Sequence, residues 1–346
     1  MKAKVIIATD GMLQLDYAKT AHGLIRGSER FEVLAVIDEK HLGADAGELL
    51  DGKHRNIPVL ESTEDAINQF LSIDYLIVGV ATVGGVLSDS LHALILQAIS
   101  SGLGIVNGLH DQLDEREDIV ALAKKYDVEL IDIRKPKPIK DLHFWTSDIY
   151  NVDVPIVAFL AMDCAMGKRT TARLIVEACA EKGMNAEMIY TGQTGWMQGS
   201  KYGFIFDSTI NDFVSGELEH TILSCWQEEK PDLILLEGQS SLRNPSGPCG
   251  LELLISGNAK QVILSHSPHR MHYDDDETWG LIPSVASEIE IIEKFGSKVI
   301  ALALNTNGLS ADESRTYKAD YEQELGIPVV MPLEEGVENL IKAIKF

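Results

Sequence analysis

A short segment that follows an apolar run carries the residue types of a phosphate-binding loop. The run VPIVAFL leads into AMDCAMGKRTTA, which covers residues 161–172. In such a loop, successive backbone N–H groups surround an anion, and the helix that follows directs its positive end at the anion. A lysine adds a mobile positive charge. We therefore predict that the following residues bind the phosphates of a nucleotide-like cofactor: Gly167, Lys168, Arg169, Thr170 and Thr171.

The residue after the lysine departs from the common pattern GxxxxGK[ST]. Met162 stands at the first glycine, and Arg169 stands where a hydroxyl normally ligates the Mg²⁺ that bridges the β and γ phosphates. Arginine does not ligate a metal, but its planar guanidinium can neutralise phosphate oxygens directly. A shifted loop would still offer the hydroxyl of Thr170 or Thr171. The substitution weakens the prediction of Mg-ATP hydrolysis and leaves that of diphosphate binding intact, and coenzyme A carries a diphosphate on an adenosine.

Three polar side chains are candidates for acid–base chemistry. The stretch DLILLEGQSS predicts a buried strand that ends at Glu237, where P-loop proteins place the acid that organises magnesium. The next residue, Gly238, allows another backbone to approach. Asp163 lies inside the loop, and His266 ends the predicted strand QVILSHS. Side chains of these types can take or give a proton, so we predict a catalytic role among these three and leave open which one is the base.

Cationic and amide side chains near the same sheet edge are candidates for substrate binding. Ligands of open α/β folds bind outside the carboxyl ends of the strands, and the segments YTGQTGWMQG, SSLRNPSGP and HSPHRMH follow predicted strands there. Arginines in the last two segments would hold a carboxylate. The histidines at 266, 269 and 272 lie in a proline-containing loop, and we predict no metal site. The predicted substrate-binding residues are Gln193, Thr194, Gln239, Arg243 and Arg270.

The first part of the chain alternates short apolar strands with helices. Strands are predicted at KVIIATD, FEVLAVID, DYLIVGV, LGIVNG and VELIDIR. Helices are predicted at YAKTAHGLIRG and SDSLHALILQAISSG. Such alternation predicts a parallel sheet covered by helices, a Rossmann-like α/β domain over residues 1–138. Asp38 ends the second strand, where an acidic residue would meet a ribose, but the turn after the first strand has one glycine where the dinucleotide fingerprint has three. The pattern therefore predicts the fold only.

A second α/β domain follows a change in composition. The segment IRKPKPIKDLHFW at residues 133–145 has two prolines and four basic residues and interrupts the alternation, so we place the domain boundary there. Residues 139–346 then restart with a strand, the phosphate loop and a helix that runs to about Lys182. Near the C-terminus, Ser310 and Glu313 form a capping-box pattern for a helix that ends at Gly326. This order predicts a P-loop NTPase-like α/β domain.

The composition bears on partners and location. The chain of 346 residues has a formal net charge of −23 at pH 7, which repels nucleic acid and anionic membranes. Its four cysteines form no CxxC pair, which argues against a zinc knuckle and a disulfide framework. The first apolar run is too short for a signal peptide, and no stretch reaches the length of a membrane span. We expect a cytoplasmic homo-oligomer that binds a small molecule and neither nucleic acid nor membrane.

Two resemblances bear on the chemistry. The loop resembles the phosphate loop of dethiobiotin-synthetase-like enzymes. In those enzymes the third residue of the loop is an aspartate, and Asp163 stands at that position here. The chain resembles, over essentially its whole length, a two-domain family long labelled as of unknown function. The segments that carry this resemblance are MDCAMGKRTTA, TGQTGW, LLEGQSSL and the IRKPKP linker. That family usually has Gly-Thr where Ala161 and Met162 stand. The characterised activity of the family is D-glutamate N-acetyltransferase, which implies transfer of acetyl from acetyl-CoA to the amine of an acidic D-amino acid.

Two other functions stay open at the level of the sequence. An ATP-dependent ligase or kinase would use Mg-ATP in the same loop, as the likeness to dethiobiotin-synthetase-like enzymes suggests. A non-catalytic nucleotide-binding protein would bind its ligand without turnover. The substitution by Arg169 favours the acetyl-CoA interpretation over the first of these, because it removes the hydroxyl that normally ligates magnesium.

Overall fold

The computed structural model describes residues 2–346, apart from the side chain of Val83, and the chain divides into two compact units. The first unit comprises Met1–Lys137 and Gly192–Ser200, and the second comprises Pro138–Thr191 and Lys201–Phe346. The division after Lys137 lies next to the boundary placed at 138/139 by composition. Residues 192–200 also belong to the first unit, and the composition does not indicate this.

A six-stranded parallel sheet forms the centre of the first unit. Its strands are β1 (Ala3–Ala8), β2 (Phe31–Ile37), β3 (Val59–Leu60), β4 (Tyr75–Val78), β5 (Gly104–Asn107) and β6 (Leu130–Asp132). They lie in the order β3-β2-β1-β4-β5-β6, which is the order of a Rossmann fold. Both faces are covered, and Val5, Ile6 and Ile7 of β1 are fully buried. The predicted strands of this region are confirmed.

Five helices connect these strands. They are α1 (Lys19–Arg26), α2 (Ala46–Asp51), α3 (Thr63–Gln69), α4 (Asp89–Ser100) and α5 (Glu117–Tyr126). Helix α4 begins after Ser88, whose hydroxyl accepts the backbone N–H of Leu91 and so satisfies one of the free amides of the first turn. Helix α1 ends at Gly27, as its sequence predicts.

A second parallel sheet forms the centre of the second unit. Its strands are β7 (Ile156–Ala161), β8 (Ala186–Ile189), β9 (Leu233–Glu237), β10 (Gln261–His266), β11 (Lys298–Leu304) and β12 (Val329–Val330). They lie in the order β12-β11-β10-β7-β9-β8. All residues of β7 and β9 are buried, which explains their uninterrupted apolar runs. Two parallel sheets covered by helices confirm the predicted α/β class.

Two helices of the second unit, the one after the phosphate loop and the one that begins at the capping box, begin and end close to where the sequence predicts. The helices of this unit are α6 (Lys168–Glu181), α8 (Asn211–Glu229), α9 (Leu251–Ile255), α10 (Val285–Lys294), α11 (Ala311–Leu325), α12 (Pro332–Glu335) and α13 (Glu338–Ala343). The capping box is confirmed, because the Ser310 side chain accepts the Glu313 N–H and the Glu313 side chain accepts the Ser310 N–H. Gly326 ends α11 in the left-handed conformation, also as predicted.

One short helix, α7 (Gln193–Gln198), lies between β8 and α8 in the chain but packs on α1 of the first unit. Met197 is fully buried in the core of that unit, and the Arg30 guanidinium lies 4.0 Å from the centre of the Trp196 ring. Gln198 donates to the carbonyl oxygen of Gly23 over 2.8 Å. Apolar burial and hydrogen bonds together therefore hold this segment on the first unit.

In residues 2–346, the structure has no helix that is both long and apolar enough to span a membrane.

Candidate functional site

The phosphate loop lies at the carboxyl edge of the second sheet, between two neighbouring strands. β7 pairs with β9 on one side, with Phe159 opposite Glu237, and with β10 on the other side, with Ala161 opposite Ser265. Gly238 permits the close approach of these strands, because a Cβ at this position would lie 2.1 Å from the carbonyl oxygen of Phe159. The predicted approach of another backbone at Gly238 is therefore confirmed.

The loop ends in a helix whose N-terminus has no side-chain cap. Gly167 is the residue before α6, adopts φ +94°, and has no side chain that could cap the first amides of the helix. The first amides of a helix have no partner within it, so they are available to an anion. Lys168, Arg169, Thr170 and Thr171 form the first turn of α6, where they lie together as predicted. This arrangement fits a phosphate group.

Lys168 is buried and its ammonium is held between two loops. Its Nζ donates to the carbonyl oxygen of Asp163 over 3.1 Å and to that of Ser240, after β9, over 2.6 Å. These two contacts fix the ammonium beside the phosphate loop. A phosphate at this position would therefore meet a charged ammonium already placed next to the loop.

Arg169 pairs with the carboxylate that ends β9. Its Nη1 lies 3.2 Å from Oε1 of Glu237, whose other oxygen accepts the backbone N–H of Thr191 over 3.2 Å. Glu237 is 3% exposed, so this is a buried charge with both oxygens satisfied. The arginine thus occupies one side of the carboxylate that organises magnesium in P-loop proteins. Gln239 follows on the same edge and donates to the Thr191 hydroxyl over 3.0 Å.

Asp163 joins the phosphate loop to two other loops. Its side chain is fully buried and accepts Nδ2 of Asn244 on Oδ1 and the backbone N–H of Asp274 on Oδ2, each over 2.7 Å. Nη1 of Arg270 lies 3.5 Å from the same Oδ2 and donates to the Cys164 carbonyl oxygen over 3.0 Å. Donors therefore surround the predicted catalytic carboxylate, and the contacts that it makes are those of a group that positions loops.

The same loops contain the atoms of a candidate cation site. One oxygen each of Asp163 and Asp274 and the sulfur of Cys164 lie within 4.8 Å of one another. Asn244 donates to both carboxylates, and Arg270 places a positive charge beside Asp163. A cation would have to displace these donors, so the cluster as built is a hydrogen-bonded junction.

Arg243 lies one residue before Asn244 and pairs with a buried acid that the sequence analysis did not single out. Its Nε donates to Oε2 of Glu288 on α10 over 2.5 Å, and Nη2 donates to Ser287 over 2.9 Å. Burial raises the pKa of Glu288, and Arg243 opposes the rise through its charge and hydrogen bond. Both predicted carboxylate-binding arginines, 243 and 270, thus have acidic neighbours within the chain.

His266 is buried at the end of β10, where its ring packs edge-on against Tyr321 of α11. Its Nε2 lies 2.9 Å from the Tyr321 hydroxyl. Burial and, to a smaller extent, the charge of His269 together lower the pKa of His266 to about 4. The imidazole is therefore neutral at pH 7. Its role as a base stays a prediction.

Gln193 and Thr194 are buried in the first unit. The Thr194 hydroxyl lies 3.0 Å from that of Thr20 on α1, and Gln193 Nε2 lies 3.5 Å from the same hydroxyl. Both side chains thus pack α7 against α1, which gives them a structural role that the prediction of substrate binding did not include. Thr191, in contrast, belongs to the second unit and contacts Glu237.

The acids at the corresponding edge of the first sheet have internal partners. Asp38 accepts the hydroxyl of Thr9 over 2.7 Å and the backbone N–H of Leu13 over 3.0 Å. Burial would raise its pKa, but these bonds together with those from His41 and Lys40 outweigh it and lower the pKa. A carboxylate that is directed inward in this way does not favour contact with a ribose. This agrees with the sequence analysis, which predicts the Rossmann-like fold of this region and no dinucleotide site.

Two residues of this region were missed by sequence reasoning: Asn244 and Glu288. Asn244 follows a predicted arginine in a polar loop, a position that carries no distinctive signal. Glu288 had a signal, because it interrupts the apolar face of α10 between the buried residues Val285 and Ile292. A charge on the buried face of a helix requires a partner.

Two family models match the chain. A P-loop domain described as a domain of unknown function (DUF1611) matches residues 143–341, and the Rossmann-like domain of the same description matches residues 39–136.

Relatives with a named activity cover most of the chain. A protein from Pseudoalteromonas sp. named D-glutamate N-acetyltransferase is 29% identical over 276 residues, which are 77% of this chain and 79% of the relative. A protein of the same name from Tritonibacter scottomollicae is 27% identical over 275 residues, 78% of this chain and 80% of the relative. A crystal structure of a DUF1611 family protein from Anabaena variabilis is 26% identical, has a TM-score of 0.90 and covers 99% of both chains.

Proposed function

As this chain belongs to the DUF1611 family, with a Rossmann-like and a P-loop domain, we propose that it transfers an acetyl group from acetyl-CoA to the amine of an acidic D-amino acid such as D-glutamate. The names of its relatives from Pseudoalteromonas and Tritonibacter support the reaction. Acetyl-CoA is the donor substrate, and its diphosphate would bind to the loop between β7 and α6.

The pairing of Arg169 with Glu237 carries this proposal. A Mg-ATP site needs a hydroxyl at position 169 and a carboxylate free to organise the metal's water ligands. Here a guanidinium replaces the hydroxyl and lies 3.2 Å from the carboxylate. The loop thus neutralises an anion with Lys168, Arg169 and helix amides. Such a cradle suits the diphosphate of coenzyme A better than a metal-bound triphosphate.

The acceptor would bind near the arginines at the same edge. Arg243 contacts Glu288 through Nε and Ser287 through Nη2, and a guanidinium has five N–H groups. An acidic amino acid brings two carboxylates, which these arginines would bind. The chain's own acids, among them Glu237 and Asp163, hold the loops in place while the amine attacks the thioester carbonyl.

Thiol release from acetyl-CoA in the presence of D-glutamate tests the proposal. We expect release to continue when Mg²⁺ is removed by a chelator. Substituting Arg169→Gln should weaken coenzyme A binding by about tenfold to a hundredfold, the loss expected for one charged hydrogen-bonding group. Arg173→Gln, one turn further along α6, is the matched control and should bind within about twofold of the unaltered protein.

The alternative reactions give distinct results in the same assay. No thiol above background with a panel of D- and L-amino acids would overturn the proposal. Magnesium-dependent release of phosphate from ATP, stimulated by a carboxylate substrate, would identify a ligase or kinase instead. Tight nucleotide binding without turnover of either donor would identify a non-catalytic binding protein.

A further inference from the structure

Glu288 is a buried acid on a helix face that otherwise packs into the core. It lies on α10 between Val285 and Ile292, and its side chain is 2% exposed. A carboxylate is almost never buried so completely without partners for both oxygens. The hydrogen bonds of Glu288 therefore indicate which kind of group this position binds.

Only one of the two oxygens of Glu288 has a partner in the part of the chain that the structure describes. Oε2 accepts Nε of Arg243 over 2.5 Å. Oε1 is inaccessible to solvent and has no hydrogen-bond donor among residues 2–346. Leaving a buried carboxylate oxygen without a donor is unfavourable, so we expect a bound molecule, water or ligand, to supply the donor.

The loop that carries Arg243 also contacts the phosphate loop, through its next residue. Arg243 precedes Asn244 and Tyr273 precedes Asp274, and both of these following residues donate to Asp163 over 2.7 Å. Burial raises the pKa of the Tyr273 hydroxyl, and the charges of Glu288 and Asp163 raise it further while Arg243 lowers it. One phenol thus lies within electrostatic reach of both carboxylates.

The other acid–base candidates of this edge are less suited to receive an amine. Both oxygens of Asp163 and both oxygens of Glu237 accept hydrogen bonds. His266 has a buried Nδ1 without a partner among the described residues, but its lowered pKa makes it a weak base. Glu288 combines a vacant acceptor atom with a pKa that burial raises.

We propose that the Arg243–Glu288 pair recognises the zwitterionic head group of the amino acid, in which Glu288 Oε1 accepts a hydrogen bond from the ammonium and Arg243 donates to the adjacent carboxylate. This inference rests on the proposed function. A positive fork beside a negative acceptor complements a carboxylate and an ammonium on the same carbon, and the ammonium reaches Oε1 once the residues that cover this atom move aside. Glu288 is then a catalytic residue and Arg243 a specificity-determining one.

The proton balance follows from this placement. Glu288 Oε1 takes one proton from the ammonium, and the freed lone pair attacks the thioester carbonyl carbon. A C–N bond forms and the C–S bond breaks. The sulfur leaves as thiolate and takes the second proton that the nitrogen must lose, which gives the thiol and the amide. Glu288 returns its proton to water, so one proton is released per turnover.

Binding of D-glutamate and of glutarate, which lacks only the amino group, tests the site on the full chain by calorimetry. We expect D-glutamate to bind at least about tenfold more tightly than glutarate, the factor that one charge-assisted hydrogen bond supplies. Glu288→Gln should bring the two affinities within about twofold by weakening D-glutamate alone. The matched control Glu290→Gln, exposed on the same helix, should preserve the preference.

A folded Glu288→Gln variant that keeps the preference for D-glutamate overturns the inference, as does an unaltered protein that binds both ligands equally or neither. If the glutamine variant does not fold, Glu288→Asp takes its place. This shorter carboxylate should weaken D-glutamate binding by about tenfold without changing glutarate binding, and unchanged binding of both contradicts the site.

Failure of this inference and failure of the proposed function give different results. Thiol release by the unaltered protein together with full activity of Glu288→Gln would remove the amine site and leave the acetyltransferase in place. A preference for D-glutamate that depends on Glu288, without any thiol release, would support the amine site and overturn the acetyl transfer.

Discussion

The amide nitrogen of Asn244 lies 2.7 Å from Oδ1 of Asp163, and both side chains are fully buried. This bond ties the loop after β9 to the phosphate loop. The same nitrogen lies 3.1 Å from Oδ2 of Asp274, so one amide group bridges two carboxylates from separate loops. The position of the phosphate loop therefore depends on a neutral side chain that is distant from it in sequence.

We expect Asn244→Ala to destabilise the second unit by about 1–3 kcal/mol, because it leaves a buried carboxylate without one of its donors. The loop should also bind coenzyme A more weakly, since Asp163 would no longer be fixed. Thermal unfolding and calorimetric titration of coenzyme A measure the two effects. Asn151→Ala, at an exposed position of the same unit, is the control and should change neither. Unchanged stability of Asn244→Ala would contradict the role of the bridge.

Gly238 should tolerate no side chain. A Cβ there would lie 2.1 Å from the Phe159 carbonyl oxygen and 3.3 Å from Cδ of Lys168, so β9 and β7 would have to separate. We expect Gly238→Ala to cost about 3 kcal/mol, as overpacking in a rigid core does. Gly247→Ala, where the nearest atom lies 3.9 Å away, is the matched control. Denaturant midpoints of the two variants compare the costs, and equal midpoints would refute the contact.

Thr194 distinguishes a packing role from a substrate-binding role. Its hydroxyl contacts Thr20 inside the first unit, so Thr194→Val should lower stability by about 1 kcal/mol through the lost hydrogen bond. The KM for the acceptor amino acid should stay unchanged if the side chain only packs α7 on α1. A raised KM at unchanged stability would instead support the predicted contact with substrate.

Most of the fold could be predicted from the sequence because its signals are local. Buried parallel strands such as β7 and β9 appear as unbroken apolar runs, and Ser310, Glu313 and Gly326 mark the ends of α11. The docking of α7 could not be predicted in this way. Its six residues carry two apolar side chains, Trp196 and Met197, and no local pattern states which of two cores receives them.

The candidate site was predictable where chemistry follows a strand directly. The phosphate loop and Glu237 were found because the loop follows β7 and the carboxylate ends β9. Partners that come from distant loops were not predictable, since nothing in the sequence near Arg243 indicates Glu288 at a separation of 45 residues. The ion pair forms only because the sheet topology brings α10 and the loop after β9 together.

His266 should make the stability of the second unit depend on pH between about 4 and 6.5. Its pKa is lowered from 6.5 to about 4, mainly because burial disfavours the charged ring. The neutral ring favours folding above pH 6.5, and this contribution is lost as the pH falls through the folded value, for a total of about 3 kcal/mol. The unfolding midpoint of the unaltered protein should therefore fall more steeply on acidification than that of His266→Gln, which does not titrate.

His54 lies in the first unit and supplies a comparison of the opposite sign, measured by the unfolding midpoint of that unit. Hydrogen bonds to Asn56 and Glu48 and the charge of Asp45 raise its pKa. Its contribution is therefore present at low pH and lost as the pH rises through the raised value. At low pH, His54→Gln should be less stable than the unaltered protein. On acidification, His266→Gln should lose less stability than the unaltered protein loses. Parallel pH profiles of His266→Gln and the unaltered protein would show that His266 is not buried in its neutral form.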